Sequence, residues 1–256
     1  MKLKHRVNIA LYNLVLRGLN ANTWITKRIL GKKLFGRIIS FDFDKTFDFN
    51  FPKNVNFSFI QIGGNDGVSF DDFYRKIIER QKKCGLILEP SPNYYRLLEV
   101  NYTNLPEIIL LPYAIFENRG KVELFELNDK GLKNHPKWAS GIGSVDINHL
   151  LKLNVKPEEI SKVVVEGITF NDLLQMNPSF YSVDYLQIDT EGYDLEVLKS
   201  IDFDVFNVKI IKFEFVNLSD LEQKQAVRLL YSSYQLYRNE MDMVCLRRDM
   251  KVKCYF

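Results

Sequence analysis

Acidic side chains stand at the end of, or within, three of the short apolar segments in this sequence. Glu89 ends the run LILE, Asp189 and Glu191 end the run LQIDTE, and Glu214 interrupts the apolar run 208–215. A carboxylate can accept hydrogen bonds from both hydroxyls of a ribose, and it can also take a proton from a reacting hydroxyl group. An acid buried among apolar residues is costly unless it is paired or has a function. Glu89 is therefore a candidate for binding a ribose, and Asp189, Glu191 and Glu214 are candidates for catalysis.

A glycine-rich turn precedes these acids in the chain. Residues 63–67 read GGNDG and follow directly after the apolar run 57–62. Such a turn permits positive φ angles and the close approach of a ligand to the backbone. Asn65 and Val68 stand where a dinucleotide fingerprint needs its second and third glycines, and the Gly-Lys-Ser/Thr of a phosphate-binding loop is missing. An NAD enzyme and a P-loop nucleotide hydrolase are both disfavoured.

The spacing of apolar residues predicts the elements that must position these side chains. The sequence predicts strands at residues 57–62, 85–89, 107–112, 183–188 and 208–215, and helices at 70–83, 92–102, 192–201 and 219–231. Nearly continuous apolar runs that alternate with helical spacing are typical of βαβ units. The fold class is therefore α/β, with a mainly parallel, doubly wound sheet and helices on both faces. A final antiparallel pair is predicted to close the sheet, from residues 231–236 and 243–247.

A polar insertion near residues 128–148 interrupts this pattern, between strands predicted at 121–127 and 162–166. It is rich in glycine, serine and aromatic residues, which suits a lid over a bound acceptor. His135 and His149 lie in or beside it, and either could serve as the base or be an ordinary surface residue. Trp138 could stack on the face of a sugar or have an ordinary packing role.

Four motifs in order give the sequence a specific resemblance. They are FIQIGGNDG at residues 59–67, LEPSP at 88–92, DYLQIDTEG at 184–192 and IKFE at 211–214. Over about residues 56–217 the chain resembles the FkbM-type methyltransferase family. Two positions depart from the family pattern: Gln187 stands where lysine is usual, which puts any role of that lysine in doubt here, and Gly64 stands where alanine is common.

The resemblance implies a Rossmann-like class I fold with a seven-stranded sheet, S-adenosylmethionine as the cofactor, and methylation of a hydroxyl, often on a sugar or natural product. Carried over to this sequence, it places the following residues around the cofactor: Gly63, Asn65, Asp66 and Gly67 at the methionine end, Glu89 with Pro90 at the ribose, residues 113–115 with Ala114 at the adenine, and Asp189 at the sulfonium.

A neutral hydroxyl must lose a proton when it is methylated, which requires a general base. We expect Glu191 or Asp189 to be that base and Glu214 to shape the acceptor pocket. A divalent metal held by Asp189 and Glu214 is an alternative, but two acids without a third ligand do not favour it.

Charge is distributed unevenly along the chain. Residues 1–41 hold nine Lys or Arg and no Asp or Glu, which leaves 26 basic and 32 acidic side chains in the remainder. We expect residues 1–50 to be a basic extension with helices at 7–17 and 22–30, and residues 51–256 to be the catalytic domain. The extension could pack on the domain, contact an anionic membrane surface or an acidic partner, or be an organelle transit peptide.

Three cysteines at unrelated spacings and the absence of a membrane-spanning apolar run predict a cytoplasmic protein, peripheral to a membrane if the extension contacts lipid. The expected partner is a small-molecule or glycan acceptor. The alternative function is a non-catalytic, nucleoside-binding module that docks through its basic segment. A nucleic-acid methyltransferase is disfavoured because the domain carries more acidic than basic residues.

Overall fold

The computed structural model describes residues 40–69 and 73–255. The chain divides into two compact units, one formed by Met1–Asn50 with Asp249–Phe256 and the other by Phe51–Arg248. The helices expected at residues 7–17 and 22–30 lie outside the described residues. In the part of the chain that the structure describes, none of the helices has the length and apolar composition of a membrane-spanning segment.

The strands and helices follow one another along the chain with short connections. The strands are β1 (Ser40–Phe41), β2 (Asn56–Ile62), β3 (Lys82–Leu88), β4 (Ile108–Leu111), β5 (Tyr113–Ile115), β6 (Gly120–Leu127), β7 (Gly143–Ser144), β8 (Ile160–Ile168), β9 (Ser182–Ile188), β10 (Asn207–Glu214), β11 (Tyr234–Asn239), β12 (Asp242–Arg247) and β13 (Cys254–Tyr255). The α-helices are α1 (Phe43–Asn50), α2 (Phe73–Ile78), α3 (Pro92–Asn101), α4 (Asp129–Asn134), α5 (Ile147–Lys152), α6 (Phe170–Met176), α7 (Asp194–Ser200) and α8 (Asp220–Leu230).

The smaller unit joins the end of the chain to helix α1. Strand β1 pairs antiparallel with β13. The Asn50 side chain donates to the Lys251 carbonyl at 2.6 Å, and the Thr46 hydroxyl donates to the Lys253 carbonyl at 3.2 Å. Thr46 and Asn50 lie four residues apart and thus on one face of α1. These polar side chains provide hydrogen-bond partners for a terminal segment that has little regular structure of its own.

The larger unit is built on a seven-stranded sheet with the order β11-β12-β10-β9-β2-β3-β4. Pairing is parallel between β10, β9, β2, β3 and β4, while β12 runs antiparallel to both of its neighbours. The α/β fold class expected from the sequence is confirmed. Ile62, at the end of β2, pairs with Leu88 on one side and Ile188 on the other. The residues that follow these three strands are therefore brought to one edge of the sheet.

The central strands are covered on both faces, as their continuous apolar runs predict. Phe59 and Ile60 of β2 are both fully buried, although their side chains point to opposite faces, and the same holds for Leu86 and Ile87 of β3. Phe57 and Phe59 stack with ring centroids 5.8 Å apart. Burial on both sides makes this sheet a rigid base for the residues at its edge.

A second, four-stranded sheet with the order β5-β8-β6-β7 lies within the same unit. Strands β6 and β8 form its long antiparallel pair, and β5 runs parallel to β8. Between β6 and β8 the insertion folds into α4, a 3₁₀ helix at Lys137–Gly141, β7 and α5. It has its own apolar cluster, composed of Leu127, Ala139, Ile142, Leu150 and Val155. The insertion is therefore a packed element with a core of its own.

The predicted elements of the large sheet are present, but several boundaries differ. Strand β11 spans Tyr234–Asn239 instead of residues 231–236, and β5 and α6 were not predicted. The helix expected at residues 70–83 is α2, which ends at Ile78, and β3 begins at Lys82 instead of residue 85. The first half of β3 carries two lysines, and Lys83 forms an ion pair with Glu107 at 3.1 Å. Backbone pairing and this ion pair keep the charged residues in the strand. A prediction from apolar runs misses them because they are not apolar.

Candidate active site

The glycine turn lies at the carboxyl edge of the sheet, between the ends of β3 and β9. The amides of Gly63 and Gly64 both donate to the Leu88 carbonyl, at 3.0 and 2.9 Å. Gly63 has φ +83°, and a β-carbon added there would lie 1.7 Å from the carbonyl oxygen of Asp189. At Gly67, with φ +77°, the added atom would collide with the side chains of Leu98 and Tyr102. Glycine is thus required here by the neighbouring strand and helix, in addition to any approach by a ligand.

We expect Gly63→Ala to lower the free energy of unfolding by roughly 3 kcal/mol or more, because the new β-carbon meets backbone that cannot move aside and φ is unfavourable. Gly143→Ala is the matched control, since its β-carbon meets nothing closer than 3.7 Å and should change stability by under about 1 kcal/mol. Urea unfolding measures both. Equal stability of the two variants would contradict the close passage of residue 189 against Gly63.

Asn65 connects the turn to two other parts of the site. Its backbone amide donates to Glu89 Oε2 at 2.7 Å, and its side-chain amide donates to the Gly141 carbonyl at 2.8 Å. The Tyr94 hydroxyl donates to the neighbouring Ser140 carbonyl. Asn65 itself adopts φ +50°. These contacts hold the 3₁₀ helix of the insertion against the edge of the sheet.

Asp66 has a different role from Asn65. Its carboxylate accepts hydrogen bonds from the amides of Val68 and Ser69, at 2.9 and 2.8 Å, and from the Ser69 hydroxyl at 2.5 Å. Partial burial raises the pKa of Asp66, but these hydrogen bonds outweigh that effect and the pKa is lowered overall. Asp66 therefore stabilises the turn that leads toward α2.

Glu89 is buried at the end of β3 and is held by backbone donors. Its two carboxylate oxygens accept from the amides of Asn65 at 2.7 Å and Ser91 at 2.8 Å. Burial raises the pKa of Glu89 to about 7, the two backbone hydrogen bonds act in the opposite direction, and the charge of Glu126 raises the pKa further. A carboxylate has about four acceptor positions. Two of these positions on Glu89 are left for a ligand.

One cavity collects most of the residues that the sequence singled out. Of the predicted set, the following line it: Gly63, Asn65, Glu89, Pro90, Ala114, Asp189 and Glu191. Asp66, Gly67 and Glu214 are not among its lining residues. Its opposite wall comes from β6 and the insertion, which contribute Leu124, Glu126, Trp138, Gly141, Gly143 and Val145. The cavity thus lies between the edge of the large sheet and the insertion.

Glu191 is held by the insertion in an unusual backbone conformation. It has φ +51°, and its carbonyl accepts from the Ser144 hydroxyl at 2.7 Å. Its Oε2 lies 3.1 Å from Nε2 of His149, which is buried. The Glu191 side chain remains 27% exposed and lines the cavity, whereas His149 does not. The acid that faces the cavity is therefore supported from behind by a histidine. Strained backbone at a cavity edge is typical of functional residues.

Glu214 is half-buried near Glu191, beside the buried acid Asp194. The Asp194 carboxylate accepts from the Thr190 hydroxyl at 3.0 Å and from the Glu214 amide at 3.2 Å. Burial raises the pKa of Asp194 to about 7, and the charge of Glu214 adds to this effect. Burial likewise raises the pKa of Glu214 to about 7, followed by the charge of Glu191, and Glu214 Oε2 has no hydrogen-bond partner among residues 40–69 and 73–255. Removal from solvent thus favours the neutral form of both acids.

This pair makes stability depend on pH. The folded chain keeps protons that the unfolded chain releases, so we expect the free energy of unfolding to fall as the pH rises from about 4.5 to about 7. Glu214→Gln should make that fall smaller, because glutamine cannot ionise. Urea unfolding from pH 5 to pH 8 measures the slope, with the exposed Glu240→Gln as the control. A variant with the wild-type slope would contradict the raised pKa of Glu214 in the folded chain.

Four residues near the cavity were not predicted from the sequence: Tyr94, Glu126, Ser144 and Tyr193. Only Glu126 carries a signal that could have revealed it. Val122 and Leu124 alternate along β6 as buried residues, and Glu126 occupies the next inward position. An acid on the buried face of an amphipathic strand breaks the apolar alternation.

Gln187, which stands where the family usually has lysine, is buried and accepts a hydrogen bond from the Tyr185 hydroxyl at 2.8 Å. Asp189 follows at the end of the same strand and lines the cavity. Over residues 40–69 and 73–255, no group of three or more His, Cys, Asp or Glu side chains is arranged to hold a metal ion.

Comparison with known families assigns the chain. Residues 61–238 match the family described as the methyltransferase FkbM domain, which is more than half of the 256 residues. This chain belongs to the FkbM methyltransferase family. The resemblance read from the four motifs is thereby confirmed. The FkbM match includes the glycine turn, Glu89, the insertion, the acids after β9 and Glu214 at the end of β10.

Solved structures give weaker similarities to this FkbM chain. An FkbM methyltransferase from Methylobacillus flagellatus KT aligns at 12% identity and TM-score 0.45, over 75% of this chain and 44% of its own length. The METTL16 methyltransferase domain aligns at 11% identity and TM-score 0.43, over 86% of this chain and 77% of its own. A precorrin-6y C5,15-methyltransferase from Geobacter metallireducens GS-15 aligns at 11% identity and TM-score 0.39, over 80% and 86%.

The chain thus spans less than half the length of the Methylobacillus protein that it resembles. None of the curated proteins compared matches it significantly. The family assignment therefore rests on the domain match, and the fold on the strand order described above.

Proposed function

We propose that this protein is an S-adenosylmethionine-dependent O-methyltransferase that acts on a hydroxyl of a sugar, glycan or other small molecule. The observation that carries the proposal is the arrangement of one cavity, where Glu89 is held by backbone donors on one side and Glu191 is backed by His149 on the other. The first group suits a ribose, and the second suits a reacting hydroxyl.

The charge of the cavity fits a cationic cofactor. Its lining contains four acids, Glu89, Glu126, Asp189 and Glu191, and no Lys or Arg among the described residues. Because no Lys or Arg in the lining neutralises these carboxylates, they attract a sulfonium and an ammonium group and repel phosphates. The two unused acceptor positions of Glu89 match the two hydroxyls of a ribose. These features support S-adenosylmethionine over a phosphorylated nucleotide.

The same charge restricts the acceptor. A phosphorylated or carboxylated acceptor would bring negative charge next to Glu191 and Asp189, whereas a neutral polyol would not. Trp138 lines the cavity and is 58% exposed, so its ring is accessible for packing against a sugar face. Neutral hydroxylated molecules are therefore the favoured acceptor class.

Bound S-adenosylmethionine would supply an electrophilic methyl group. Glu191 would accept the proton of the acceptor hydroxyl at Oε1, while its Oε2 remains fixed by His149. Ser144 holds the backbone of Glu191 in place. The insertion forms one wall of the cavity, and its 3₁₀ helix is held there by hydrogen bonds from Asn65 and Tyr94. The residues of this chain would thus align the acceptor hydroxyl with the methyl group and remove the proton of that hydroxyl.

Calorimetry and a transfer assay test the proposal. We expect the full chain to bind S-adenosylhomocysteine and to transfer a labelled methyl group from S-adenosylmethionine to members of a panel of neutral sugars, glycosides and hydroxylated small molecules. Mass spectrometry would record the gain of one methyl group, and phosphorylated counterparts should not react. Binding without transfer to any acceptor would favour a non-catalytic module. Absence of binding would contradict the proposed cofactor.

A further inference from the structure

Two buried polar side chains in the cavity wall, Ser91 and Glu126, each leave one atom without a well-formed hydrogen bond to the described residues. Glu126 is 7% exposed and Ser91 is 1% exposed, and both line the cavity. The two side chains lie close enough to interact: burial raises the pKa of Glu126, and the Ser91 side chain lowers it to a smaller extent. In the part of the chain that the structure describes, neither Oε1 of Glu126 nor Oγ of Ser91 makes a hydrogen bond of normal geometry. Buried polar atoms are partnered in the great majority of cases, and an unpartnered carboxylate is especially costly. The two atoms therefore point to a missing ligand.

The architecture around Glu126 leaves this carboxylate accessible from the cavity. Its neighbour across the β6–β7 ladder is Gly143, which has no side chain to cover it. A β-carbon at that position would lie 3.7 Å from Glu126 Oε1. Val122 and Leu124, which precede Glu126 on the same face of β6, are packed into an apolar cluster. The inward face of β6 is thus apolar at Val122 and Leu124 and acidic at Glu126.

Glu126 lies near the nucleoside-binding end of the proposed site. Its charge acts on Glu89 and on Tyr94, and it raises the pKa of both groups in addition to the larger effect of burial. Both residues belong to the region of β3 and α3, whereas Asp189 and Glu191 follow β9. A ligand group that contacts Glu126 must therefore belong to the part of the molecule that lies beside Glu89.

The hydrogen-bond donors of adenosine indicate which ligand group contacts Glu126. Glu89 has two acceptor positions left after its bonds to the amides of Asn65 and Ser91, and the two ribose hydroxyls fill them. The remaining donor of adenosine is the exocyclic amine of the base. The geometry points to Glu126, assisted by the Ser91 hydroxyl, as the group that recognises this amine. This inference rests on the proposed function, and it names the residues that make the cofactor site specific for adenine.

The test compares two ligands that differ only along one edge of the base. Calorimetry on the full chain would measure S-adenosylhomocysteine and S-inosylhomocysteine, in which a carbonyl replaces the amine and the adjacent N1 carries a proton. The wild-type protein should prefer the amine by about tenfold or more, because the carbonyl would face a carboxylate. Glu126→Gln should reduce the preference to within about threefold, since its amide can donate to the carbonyl. Glu123→Gln is the matched control, because Glu123 lies on the same strand, is exposed and pairs with Lys162 at 2.8 Å.

The possible outcomes separate this inference from the function on which it rests. If the wild-type protein binds both ligands equally, the inference is overturned and the proposed cofactor stands. If it binds neither, the proposed function fails first and the inference with it. A Glu126→Gln protein that keeps the wild-type preference also overturns it. Should that variant not fold, Ser91→Ala removes the assisting hydroxyl and is expected to weaken the same preference; an unchanged preference there would count against the inference.

Discussion

Replacing Glu191 by glutamine is expected to lower the rate of methyl transfer by about 10²- to 10⁴-fold, the usual contribution of a general base. Glutamine has nearly the same size and can still bond to His149, so the affinity for S-adenosylhomocysteine should change by less than about threefold. The measurement is single-turnover transfer of a labelled methyl group to the best neutral acceptor of the panel, with calorimetry in parallel. A loss confined to the chemical step would identify Glu191 as the base.

The chain offers a matched control for this substitution. Glu240 is also a glutamate with positive φ, at +53°, but it is exposed in the turn between β11 and β12. Glu240→Gln should leave both transfer and binding unchanged. His149→Ala should lower the transfer rate less than Glu191→Gln, because it loosens the base without removing it. Transfer by Glu191→Gln at the wild-type rate would rule out this residue and leave Asp189 as the candidate base.

Replacing Glu89 by alanine is expected to weaken binding of S-adenosylhomocysteine by roughly 100-fold, since two hydrogen bonds to a charged group are lost. Burial raises the pKa of Glu89 to about 7, and the ionised form is the better acceptor for ribose hydroxyls. The affinity of the wild-type protein should therefore fall as the pH drops from about 8 to about 6. Calorimetry across this range measures both effects.

Removal of Glu89 also frees two backbone amides, so folding must be monitored. Circular dichroism and thermal unfolding would show whether Glu89→Ala keeps its native structure. Glu99→Ala, an exposed position on α3, should bind like the wild-type protein. A folded Glu89→Ala protein with wild-type affinity would place the ribose elsewhere in the cavity. An affinity that is independent of pH would contradict the titration of Glu89 in this range.

Much of the fold follows from local patterns. The continuous apolar runs of β2, β3 and β9 predict buried parallel strands, and the residue after each such strand must lie at the carboxyl edge of the sheet. That rule is sufficient to bring Gly63, Glu89 and Asp189 together without knowledge of any side-chain contact. The motif resemblance then assigned the family, which the domain match confirms.

The sequence by itself therefore determined the sheet, its functional edge and the family, because these depend on periodicity within single segments. Only the tertiary structure decided which groups from other segments complete the cavity. Glu126 arrives from a second sheet, and His149 reaches Glu191 across 42 positions of sequence. The need for glycine at residue 63 arises from the backbone of Asp189. Such contacts depend on the path of the chain between distant elements, which no local pattern specifies.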